Sequence, residues 1–471
     1  MLERRTKIVA TLGPATDPAG ILDGLIAAGV DCMRLNCSHG TPDELSRRAR
    51  DARAAAARAG RPLALLFDLQ GPKLRLSAAT PVRKVERGER VVFVGAGSPT
   101  AAADGSVVVD FPDFAVLATE RSELVIGDGV PRFAVEHVGP GEVVARALTP
   151  GAMSPRKGIN VTYARPNLPA ITDKDAADLA LAAEEGADFV ALSFVRSAAD
   201  VEDLRDRLRA LGSPARTIAK IEKVEAYSRL DEILEVADGV MVARGDYGVE
   251  AGVARVPLMQ KDTIFRAVQH GKLVITATQM LESMIHAPEP TRAEAADVAN
   301  AVIDGTSAVM LSAETGVGEY PVEAVRAMAE IARVAEEAPE IHGRARGQAG
   351  DTPAGLVAHA AVQLAEALGA AALVVPTSTG GGARTCSKYR RRRPVIALAH
   401  ELHVANQLAV EWGVYPTSID VAGSVEELVE AALLTARDYA HLPSGSQVVI
   451  TAGRRTGTPG ATSLIMVREL P

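Results

Sequence analysis

Two short apolar segments near the middle of the chain each end in charged residues. TIAKIE ends in Lys220 and Glu222, GVMVARGD ends in Arg244 and Asp246, and the helix-like segment EAYSRLDEILEVA lies between them. A β-α-β unit of this kind makes parallel strands, so both charged ends project from one edge of the sheet. Two carboxylates and a lysine there suit a divalent cation and an anionic ligand, because Mg²⁺ combines one or two protein carboxylates with water and substrate oxygens. For a single strand, a structural ion pair is the alternative.

The same pattern recurs along the chain. Eight apolar strand-like segments can be counted, most of them separated by helix-length amphipathic segments: KIVATLG (7–13), CMRLN (32–36), LALLFDL (63–69), FVALSF (189–194), TIAKIE (217–222), VMVARGD (240–246), LVITATQ (273–279) and AVMLSAET (308–315). Such alternation predicts a parallel sheet covered on both faces. Eight strands indicate a closed (β/α)₈ TIM barrel, whose functional groups gather at the carboxyl ends of the strands. The polar residues near those ends are Arg34, Asp68, Lys220, Glu222, Asp246, Thr278 and Glu314.

The β/α rhythm stops after the third strand. About ninety residues with valine-rich strands and glycine turns predict a small antiparallel β-barrel domain, between hinges at Gly71-Pro72 and Pro166-Asn167-Leu168-Pro169. Such an insertion above the catalytic face can be a lid or a passive addition. After a polar segment at 341–352, a new alternation predicts an open α/β domain. We therefore expect a catalytic barrel at 1–70 and 168–345, an inserted lid domain at 71–167 and a C-terminal regulatory domain at 346–471.

Composition narrows the class of protein. The chain has 471 residues, of which 47% are hydrophobic and 23% charged, and this gives ample core for roughly three domains. A net charge of −8 and an aromatic content of 3% argue against a nucleic-acid partner. No segment fits a signal peptide or a membrane span. Three cysteines, at positions 32, 37 and 386, provide neither a disulfide framework nor metal-binding spacing, so we expect a cytoplasmic protein.

Longer motifs resemble those of the pyruvate kinase family. They are RLNCSHG (34–40), FDLQGPKLR (67–75), AKIEKVEA (219–226), MVARGDYGVE (241–250), VPLMQK (256–261), TATQMLESM (276–284) and PTRAEAADVANAVIDGTSAVMLSAETGVGEYPVEAV (290–325). The resemblance covers essentially the whole chain in order, and the combination is far more specific than ARGD alone. It implies a phosphotransferase that uses Mg²⁺, with Mn²⁺ as an alternative, to transfer the phosphoryl group of phosphoenolpyruvate to ADP, giving pyruvate and ATP. We also expect a homotetramer.

The resemblance implies roles for individual residues. Glu222 and Asp246 match the metal ligands of the family. Lys220 would stabilise charge on the phosphoryl group and the enolate, and Arg34 would clamp the phosphate. The expected substrate-binding residues are Arg34, Lys220, Gly245, Asp246 and Thr278. Thr278, with Ser312 and water, is the expected proton relay.

Three residues, Asn36, His39 and Arg75, match positions that face the nucleotide in the family. Ser197 replaces a lysine that commonly follows the Phe-Val-Arg run, so position 197 is left out of the site. Cys37 stands where the family commonly has phenylalanine, and we expect it to be a small buried hydrophobe.

The residues after Asp68 depart from the usual pattern. Most members of the family require K⁺, held by residues matching Asn36, Ser38, Asp68 and position 69. The usual run Thr-Lys-Gly-Pro-Glu reads Leu69-Gln70-Gly71-Pro72-Lys73 here. Leu69 lacks the ligating hydroxyl and Lys73 replaces a glutamate; a subset of the family with this combination works without K⁺. We expect that K⁺ is not required, because the lysine ammonium can take over the charge of the cation.

The first loop of the C-terminal domain, PTSTGGGAR (376–384), combines hydroxyls and glycines before a helix start, where backbone N–H groups can bind phosphate. The corresponding loop of the family binds a phosphorylated activator. The predicted effector residues are Thr377, Ser378, Thr379 and Gly380, and an ordinary turn is the alternative. The KYRRRR run (388–393) fits a phosphate patch, a subunit contact or a solvated face, of which the solvated face is the default.

Two rival functions remain open. A metal-dependent lyase on the same barrel, such as an aldolase, would need the metal carboxylates but not the nucleotide residues, the insertion or the third domain. A non-catalytic protein that binds sugar phosphates would allow the catalytic residues to decay, yet Lys220, Glu222, Asp246 and Thr278 are all present. ADP-dependent formation of pyruvate distinguishes the three functions.

Overall fold

The computed structural model describes residues 4–98, 105–127, 129–162, 169–338, 352–420, 424–453 and 462–471. Two predicted connections lie mainly outside these ranges: the second hinge at 166–169 and the polar linker at 341–352. Among the helices of the described ranges, none combines the length and the apolar character that a membrane crossing requires.

The chain begins with three β/α units of the barrel. They contain β1 (Lys7–Thr11), α1 (Ile21–Ala28), β2 (Cys32–Asn36), α2 (Pro42–Ala59) and β3 (Ala64–Asp68). The three strands are almost entirely buried, as near-continuous apolar runs require. Helix α2 begins with a capping box between Thr41 and Glu44 and ends at Gly60, whose φ of 62° is readily adopted only by glycine.

The insertion after β3 is a small β unit with its own core. It contains β4 (Arg83–Val85), β5 (Arg90–Gly95), β6 (Val107–Val109), α3 (Phe114–Leu117), β7 (Glu123–Ile126), β8 (Arg132–Gly139), β9 (Glu142–Ala147), β10 (Gly151–Met153) and β11 (Ile159–Val161). Six strands form a sheet in the order β11-β7-β8-β9-β5-β6, and β4 pairs with β10. Bridges from Arg75 and Leu76 reach both edges of the sheet, to Gly158 and Val109, and complete its barrel-like wall.

One strand pair in this unit differs from the antiparallel arrangement that we predicted. β5 and β6 run parallel, whereas the other pairs of the six-stranded sheet are antiparallel. β5 and β6 therefore do not form a hairpin. A glycine-containing turn signal does not reveal that difference, because it marks the end of a strand and not the direction of the next one.

The barrel resumes after the insertion. Its remaining elements are α4 (Asp173–Glu184), β12 (Phe189–Leu192), α5 (Ala198–Ala210), β13 (Arg216–Ile221), α6 (Val224–Ser228), α7 (Leu230–Val236), β14 (Gly239–Ala243), α8 (Arg244–Ala251), α9 (Val256–Gln269), β15 (Leu273–Ala277), α10 (Arg292–Asp304), β16 (Ala308–Leu311), α11 (Ala313–Gly316) and α12 (Pro321–Ala335). The barrel closes in the order β1-β16-β15-β14-β13-β12-β3-β2, with parallel pairing throughout. The predicted (β/α)₈ fold is therefore confirmed.

Several strands end earlier than the sequence pattern predicted. β14 ends at Ala243, so Arg244 and Asp246 lie in the first turn of α8, where a carboxylate complements the helix dipole. Thr278 follows the end of β15, and Ser312 caps α11. The apolar run continues into these polar segments, so periodicity alone overextends the strands.

The C-terminal part is the open α/β unit that we expected. It contains α13 (Pro353–Leu368), β17 (Ala372–Thr377), α14 (Gly381–Ser387), β18 (Val395–Ala399), α15 (Leu402–Leu408), β19 (Val414–Ser418), α16 (Val425–Ala440), β20 (Gln447–Gly453) and β21 (Thr462–Glu469). The sheet order is β19-β18-β17-β20-β21, with only the last pair antiparallel.

The basic run at 388–393 is not the solvated face that we took as the default. Arg390 is 3% exposed. Its Nη2 atom donates to Ser307 Oγ of the barrel at 2.8 Å, and its guanidinium carbon lies 5.0 Å from the centre of the Trp412 ring. Arg390 therefore joins the C-terminal unit to the amino-terminal end of the barrel, and only Arg392 of the run is fully exposed.

Candidate active site

Lys220 lies at the centre of a buried charged cluster at the carboxyl end of the barrel. Its Nζ atom is 2.9 Å from Glu222 Oε1 and 3.2 Å from Asp68 Oδ1, and it donates to Ser193 Oγ at 2.7 Å. Asp68 Oδ2 also pairs with the Arg34 guanidinium, with Nε at 2.8 Å and Nη2 at 2.7 Å. The structure thus brings together four residues that the sequence had placed on three separate strands.

The opposite charges of this cluster keep one another ionised, although burial disfavours the charged forms. Burial lowers the pKa of Lys220, but Asp68 and Glu222 raise it more, so the pKa lies well above the ordinary lysine value. Burial raises the pKa of Asp68, but Lys220 and Arg34 bring it below the ordinary value. The ammonium and the Asp68 carboxylate therefore both stay charged at neutral pH.

Glu222 and Asp246 form the pair of carboxylates that fits a divalent cation. Burial raises the pKa of Glu222 and the Asp246 carboxylate raises it further, while Lys220 opposes both effects. Glu222 Oε2 accepts a hydrogen bond from Phe194 N at 2.8 Å, which fixes the carboxylate. Two carboxylates, which offer oxygen donors only, suit Mg²⁺. Among the described residues, no cluster of three or more His, Cys, Asp or Glu side chains could hold a metal. Mg²⁺ usually combines one or two protein carboxylates with water and substrate oxygens.

Thr278 joins the end of β15 to the start of α8. Its Oγ1 atom accepts a hydrogen bond from Gly245 N at 3.0 Å and donates to Ala277 O at 2.7 Å. The φ angle of Thr278 is 67°, which a β-branched residue rarely adopts. Gly245 and Thr278, both predicted substrate residues, therefore contact each other directly.

Ser312 and Glu314 lie together at the start of α11. Glu314 accepts hydrogen bonds from Ser312 N at 2.7 Å and from Leu281 N at 3.1 Å, so this carboxylate holds the backbone of the barrel rim. The Ser312 hydroxyl is buried and has no hydrogen-bond partner among the described residues. The structure connects Ser312 to Glu314, and Thr278 to Gly245.

The predicted nucleotide loop follows β2. Asn36 Oδ1 accepts a hydrogen bond from Ser38 N at 3.1 Å, and Cys37, 1% exposed, donates through its backbone to Asp68 O at 3.0 Å. The expectation of a buried Cys37 is confirmed. Lys174, the second residue of α4, donates to Cys37 O at 2.6 Å. Sequence reasoning missed Lys174; its position just after the capping Thr172 was the available signal.

Basic residues of the inserted segment face the same loop. Burial lowers the pKa of His39, and the positive charges of Arg75, Lys73 and Arg34 lower it further. Lys73 is exposed, and it is not among the contacts that the described residues make with Asp68. Leu69 is buried, and its carbonyl accepts a hydrogen bond from Ser193 Oγ at 2.7 Å.

A cleft of about 820 Å³ separates the barrel from the inserted strands. Its charged lining residues are the cations Lys73, Arg75, Arg156, Lys157, Arg196 and Lys223 and the acids Glu225, Asp246 and Glu250. Across it, Asn160 Nδ2 donates to Glu250 Oε2 at 2.9 Å. A cleft with this excess of positive charge suits an anionic ligand. Asn160 lies in a stretch that the sequence analysis did not single out, whereas Glu250 ends the motif MVARGDYGVE (241–250) but was given no role.

The predicted effector loop forms a tight turn before α14. Thr377 Oγ1 accepts a hydrogen bond from Gly380 N at 2.9 Å, and Arg384 Nη1 donates to Thr379 O at 2.7 Å. Gly380 has a φ of 80°, and a Cβ atom there would lie 2.6 Å from the Arg384 guanidinium. Only glycine therefore fits at position 380, while the Ser378 and Thr379 side chains stay accessible.

Comparison with known proteins agrees with this geometry. Residues 3–325 match the family model described as "Pyruvate kinase, barrel domain", and residues 356–468 match "Pyruvate kinase, alpha/beta domain". The chain is 40% identical over 476 residues to the pyruvate kinase of Geobacillus stearothermophilus, covering 100% of this chain and 81% of that protein. It is 39% identical to the pyruvate kinase of Methylorubrum extorquens (98% and 97% covered) and 36% identical to that of Clostridium acetobutylicum (99% of each). The chain therefore belongs to the pyruvate kinase family, phosphotransferases that generally use Mg²⁺ and transfer the phosphoryl group of phosphoenolpyruvate to ADP.

Proposed function

We propose that this chain itself catalyses Mg²⁺-dependent phosphoryl transfer from phosphoenolpyruvate to ADP, giving pyruvate and ATP. The observation that carries the proposal is the buried cluster in which Lys220 lies against Asp68 and Glu222 at the carboxyl end of the barrel. Phosphoryl transfer needs positioning and neutralisation of spread negative charge. A cluster held in place before the substrate arrives supplies both.

Each charged group then has a separate role. Arg34 binds the phosphate with the guanidinium N–H groups that are not hydrogen-bonded to Asp68 or Thr11. Lys220 stabilises the phosphoryl group in transfer and the enolate left behind. Glu222 and Asp246 hold Mg²⁺, which neutralises charge on the substrate oxygens when it is bound.

The enolate is protonated on carbon at the Thr278 side of the site. The Gly245 backbone binds the substrate carboxylate, which shares the Gly245 N–H that donates to the Thr278 hydroxyl at 3.0 Å in this structure. Thr278 then relays the proton, with Ser312 and water supplying the next step. The unpartnered buried Ser312 hydroxyl supports this role, because it can join a chain of hydrogen bonds.

The nucleotide occupies the cationic cleft. Asn36, His39 and Arg75 contact ADP, and Lys174, which is paired with Asp178 at 2.6 Å, holds the loop by donating to Cys37 O. The catalytic barrel comprises residues 1–70 and 168–345. The insertion at 71–167 is a lid over it, and residues 346–471 form a domain that regulates its activity. The bond from Asn160 to Glu250 supports the lid assignment, because it joins an inserted strand to a barrel helix across the cleft.

The experiment that tests the proposal is an assay of pyruvate formation from phosphoenolpyruvate with and without ADP, coupled to lactate dehydrogenase. We expect pyruvate to form only when ADP and Mg²⁺ are present, with ATP in equal amount. Formation of pyruvate without ADP would favour a lyase, and no turnover at all would favour a non-catalytic protein.

We also propose that a phosphorylated metabolite activates the enzyme at Thr377, Ser378, Thr379 and Gly380. The turn between Thr377 and Gly380 supports this, because it leaves short hydroxyl side chains accessible beside a helix start. K⁺ is not required in this proposal, because Leu69 has no hydroxyl and Lys73 adds a cation.

A homotetramer and a cytoplasmic location belong to the same proposal. Exposed apolar side chains on and beside α9 support association: Val253 is 81% exposed, Leu258 71% and Phe265 49%. The three buried, unpaired cysteines support a reducing compartment. Sedimentation of the purified chain tests the tetramer directly.

A further inference from the structure

Two consecutive residues at the active site adopt a backbone conformation that side chains disfavour. Thr278 has a φ of 67° and Gln279 a φ of 54°, both in the left-handed region. Neither is glycine, and a β-branched residue is strained there. Strain of this kind persists only where surrounding contacts hold it in place.

Arg244 provides those contacts. Its Nε atom donates to Thr278 O at 3.0 Å, and its Nη2 atom donates to Thr278 O at 2.6 Å and to Gln279 O at 2.9 Å. Nη1 lies 2.5 Å from Asp297 Oδ2, and the arginine is 9% exposed. The guanidinium thus holds both strained carbonyls from one side and is itself held by a carboxylate on the other.

The two segments are also bound in the opposite direction. Arg244 precedes Gly245, whose N–H donates to the Thr278 hydroxyl. The Arg244 side chain therefore binds the backbone of Thr278, while the backbone N–H of Gly245 binds the Thr278 side chain. A lysine could not replace this arrangement, because it is a single point donor and not a planar fork.

We propose that Arg244 is a positioning residue for the proton-transfer half of the reaction. It keeps Thr278 and Gln279 left-handed and so fixes the position of the Thr278 hydroxyl, which accepts from Gly245 N and donates to Ala277 O in this structure. This inference rests on the proposed role of Thr278. It predicts that loss of the fork affects protonation of the enolate, because misplacement of a reacting group by about 1 Å costs about 100-fold in rate.

Solvent exchange of the pyruvate methyl protons isolates that half-reaction. By microscopic reversibility, the groups that protonate the enolate also remove a proton from pyruvate, and NMR in D₂O follows the exchange with Mg²⁺ and ATP present. We expect Arg244→Lys to slow exchange by about 10- to 100-fold. Gln279→Gly in the same chain should restore at least about fivefold, because glycine adopts positive φ without strain.

Arg53 provides the matched control at the other end of the barrel. It donates to Leu63 O at 2.6 Å and Gly186 O at 2.8 Å and pairs with Asp188 at 2.7 Å, so it makes the same kinds of contact as Arg244. Arg53→Lys should lower the melting temperature and leave exchange within twofold of the wild type. A purely structural role for Arg244 predicts the same behaviour for both variants.

The outcomes distinguish a wrong role for Arg244 from a wrong role for Thr278. If Thr278→Ala keeps normal exchange, the proposed role of Thr278 is wrong. If Thr278→Ala loses exchange while Arg244→Lys keeps it, the inference about Arg244 is wrong. Failure of Gln279→Gly to restore exchange would also overturn it. If Arg244→Lys does not fold, Asp297→Asn, which leaves the arginine but removes its carboxylate, should slow exchange in the same direction, and an unchanged rate would overturn the inference.

Discussion

Lys220 and Glu222 lie two residues apart at the end of one barrel strand, and their charged groups meet at 2.9 Å. Residues at this spacing share a face of a strand, so the separation follows from the backbone itself. A buried ion pair of this kind is a weak source of stability, because desolvation opposes the attraction. The pair instead presents an ammonium and a carboxylate side by side at the carboxyl end of the barrel.

Lys220→Met should abolish most of the phosphoryl transfer. Loss of one preorganised electrostatic group lowers kcat by at least about 100-fold and affects the KM for phosphoenolpyruvate less. The coupled assay measures both constants. Lys7→Met is the control, because Lys7 is a buried lysine at the opposite end of the barrel, bonded to Val414 O; it should lower stability and keep kcat. A Lys220→Met enzyme with more than half of the wild-type rate would contradict the assignment.

Glu222→Gln and Asp246→Asn should each raise the Mg²⁺ concentration that gives half-maximal rate by about tenfold or more. Each change removes an anionic oxygen ligand from a cation that prefers charged oxygen. Titration of the initial rate with MgCl₂ measures the effect. Glu250→Gln, in the same cleft but bonded to Asn160, should leave the Mg²⁺ requirement unchanged. An unaltered requirement in both test variants would place the metal elsewhere.

The unaltered enzyme should work without K⁺. Initial rates in KCl and in tetramethylammonium chloride at equal ionic strength are expected to agree. Lys73→Glu should be slower by about tenfold and regain part of the rate with K⁺, since Lys73 is exposed and its charge acts through partly screened surroundings. Strong activation of the wild type by K⁺ would show that the interpretation of Lys73 is wrong.

A phosphorylated metabolite should lower the apparent KM for phosphoenolpyruvate, and AMP and a sugar monophosphate are the compounds to test. Coupling of about 1–3 kcal/mol corresponds to a change of about 5- to 150-fold. Thr379→Ala and Thr377→Ala should lose activation and keep basal turnover, although Thr377 also closes the turn through Gly380 N. Activation that persists in both variants would move the effector site away from this loop.

Asp188→Asn should change how stability depends on pH. Burial raises the pKa of Asp188 to about 6 from an ordinary value of 3.8, against the effect of Arg53. A raised pKa contributes stability that is complete below the ordinary value and is lost as pH rises through about 6, a loss of about 3 kcal/mol. The melting temperature of the variant, measured relative to that of the wild type, should therefore rise between pH 4.5 and pH 7.5.

Asp31, at the same end of the barrel, provides a control of opposite sign. Burial raises its pKa, but Arg4, Lys7 and Arg61 hold the pKa below its usual value. The stability that Asp31 contributes is present above the ordinary carboxyl pKa and is lost as pH falls. Asp31→Asn should therefore be most damaging at neutral pH, and the same pH trend in both variants would contradict the assignment of Asp188.

The barrel was predictable because its strands are buried on both faces and its helices are amphipathic. The strands therefore read as continuous apolar runs and the helices as a 3.6-residue hydrophobic period, which distinguishes the two in the sequence. The same periodicity placed Arg34, Asp68 and Lys220 at the strand ends, and their roles in the reaction are what the resemblance implies. Arg390 was not predictable. Its burial depends on Ser307 and Trp412, which a local charge run does not contain. Ser193 and Lys174 were missed for the same reason, because each acts through a contact distant in sequence: Lys220 Nζ in one case and Cys37 O in the other.

The contact of Arg390 with Trp412 gives the chain a built-in optical reporter. Trp412 is the single tryptophan in 471 residues. A cation 5.0 Å from its ring perturbs the emission, and that cation is bonded to the barrel through Ser307. Any shift of the C-terminal unit against the barrel should therefore change the intrinsic fluorescence. Titration of the unlabelled enzyme with a phosphorylated metabolite would then test whether such a shift occurs.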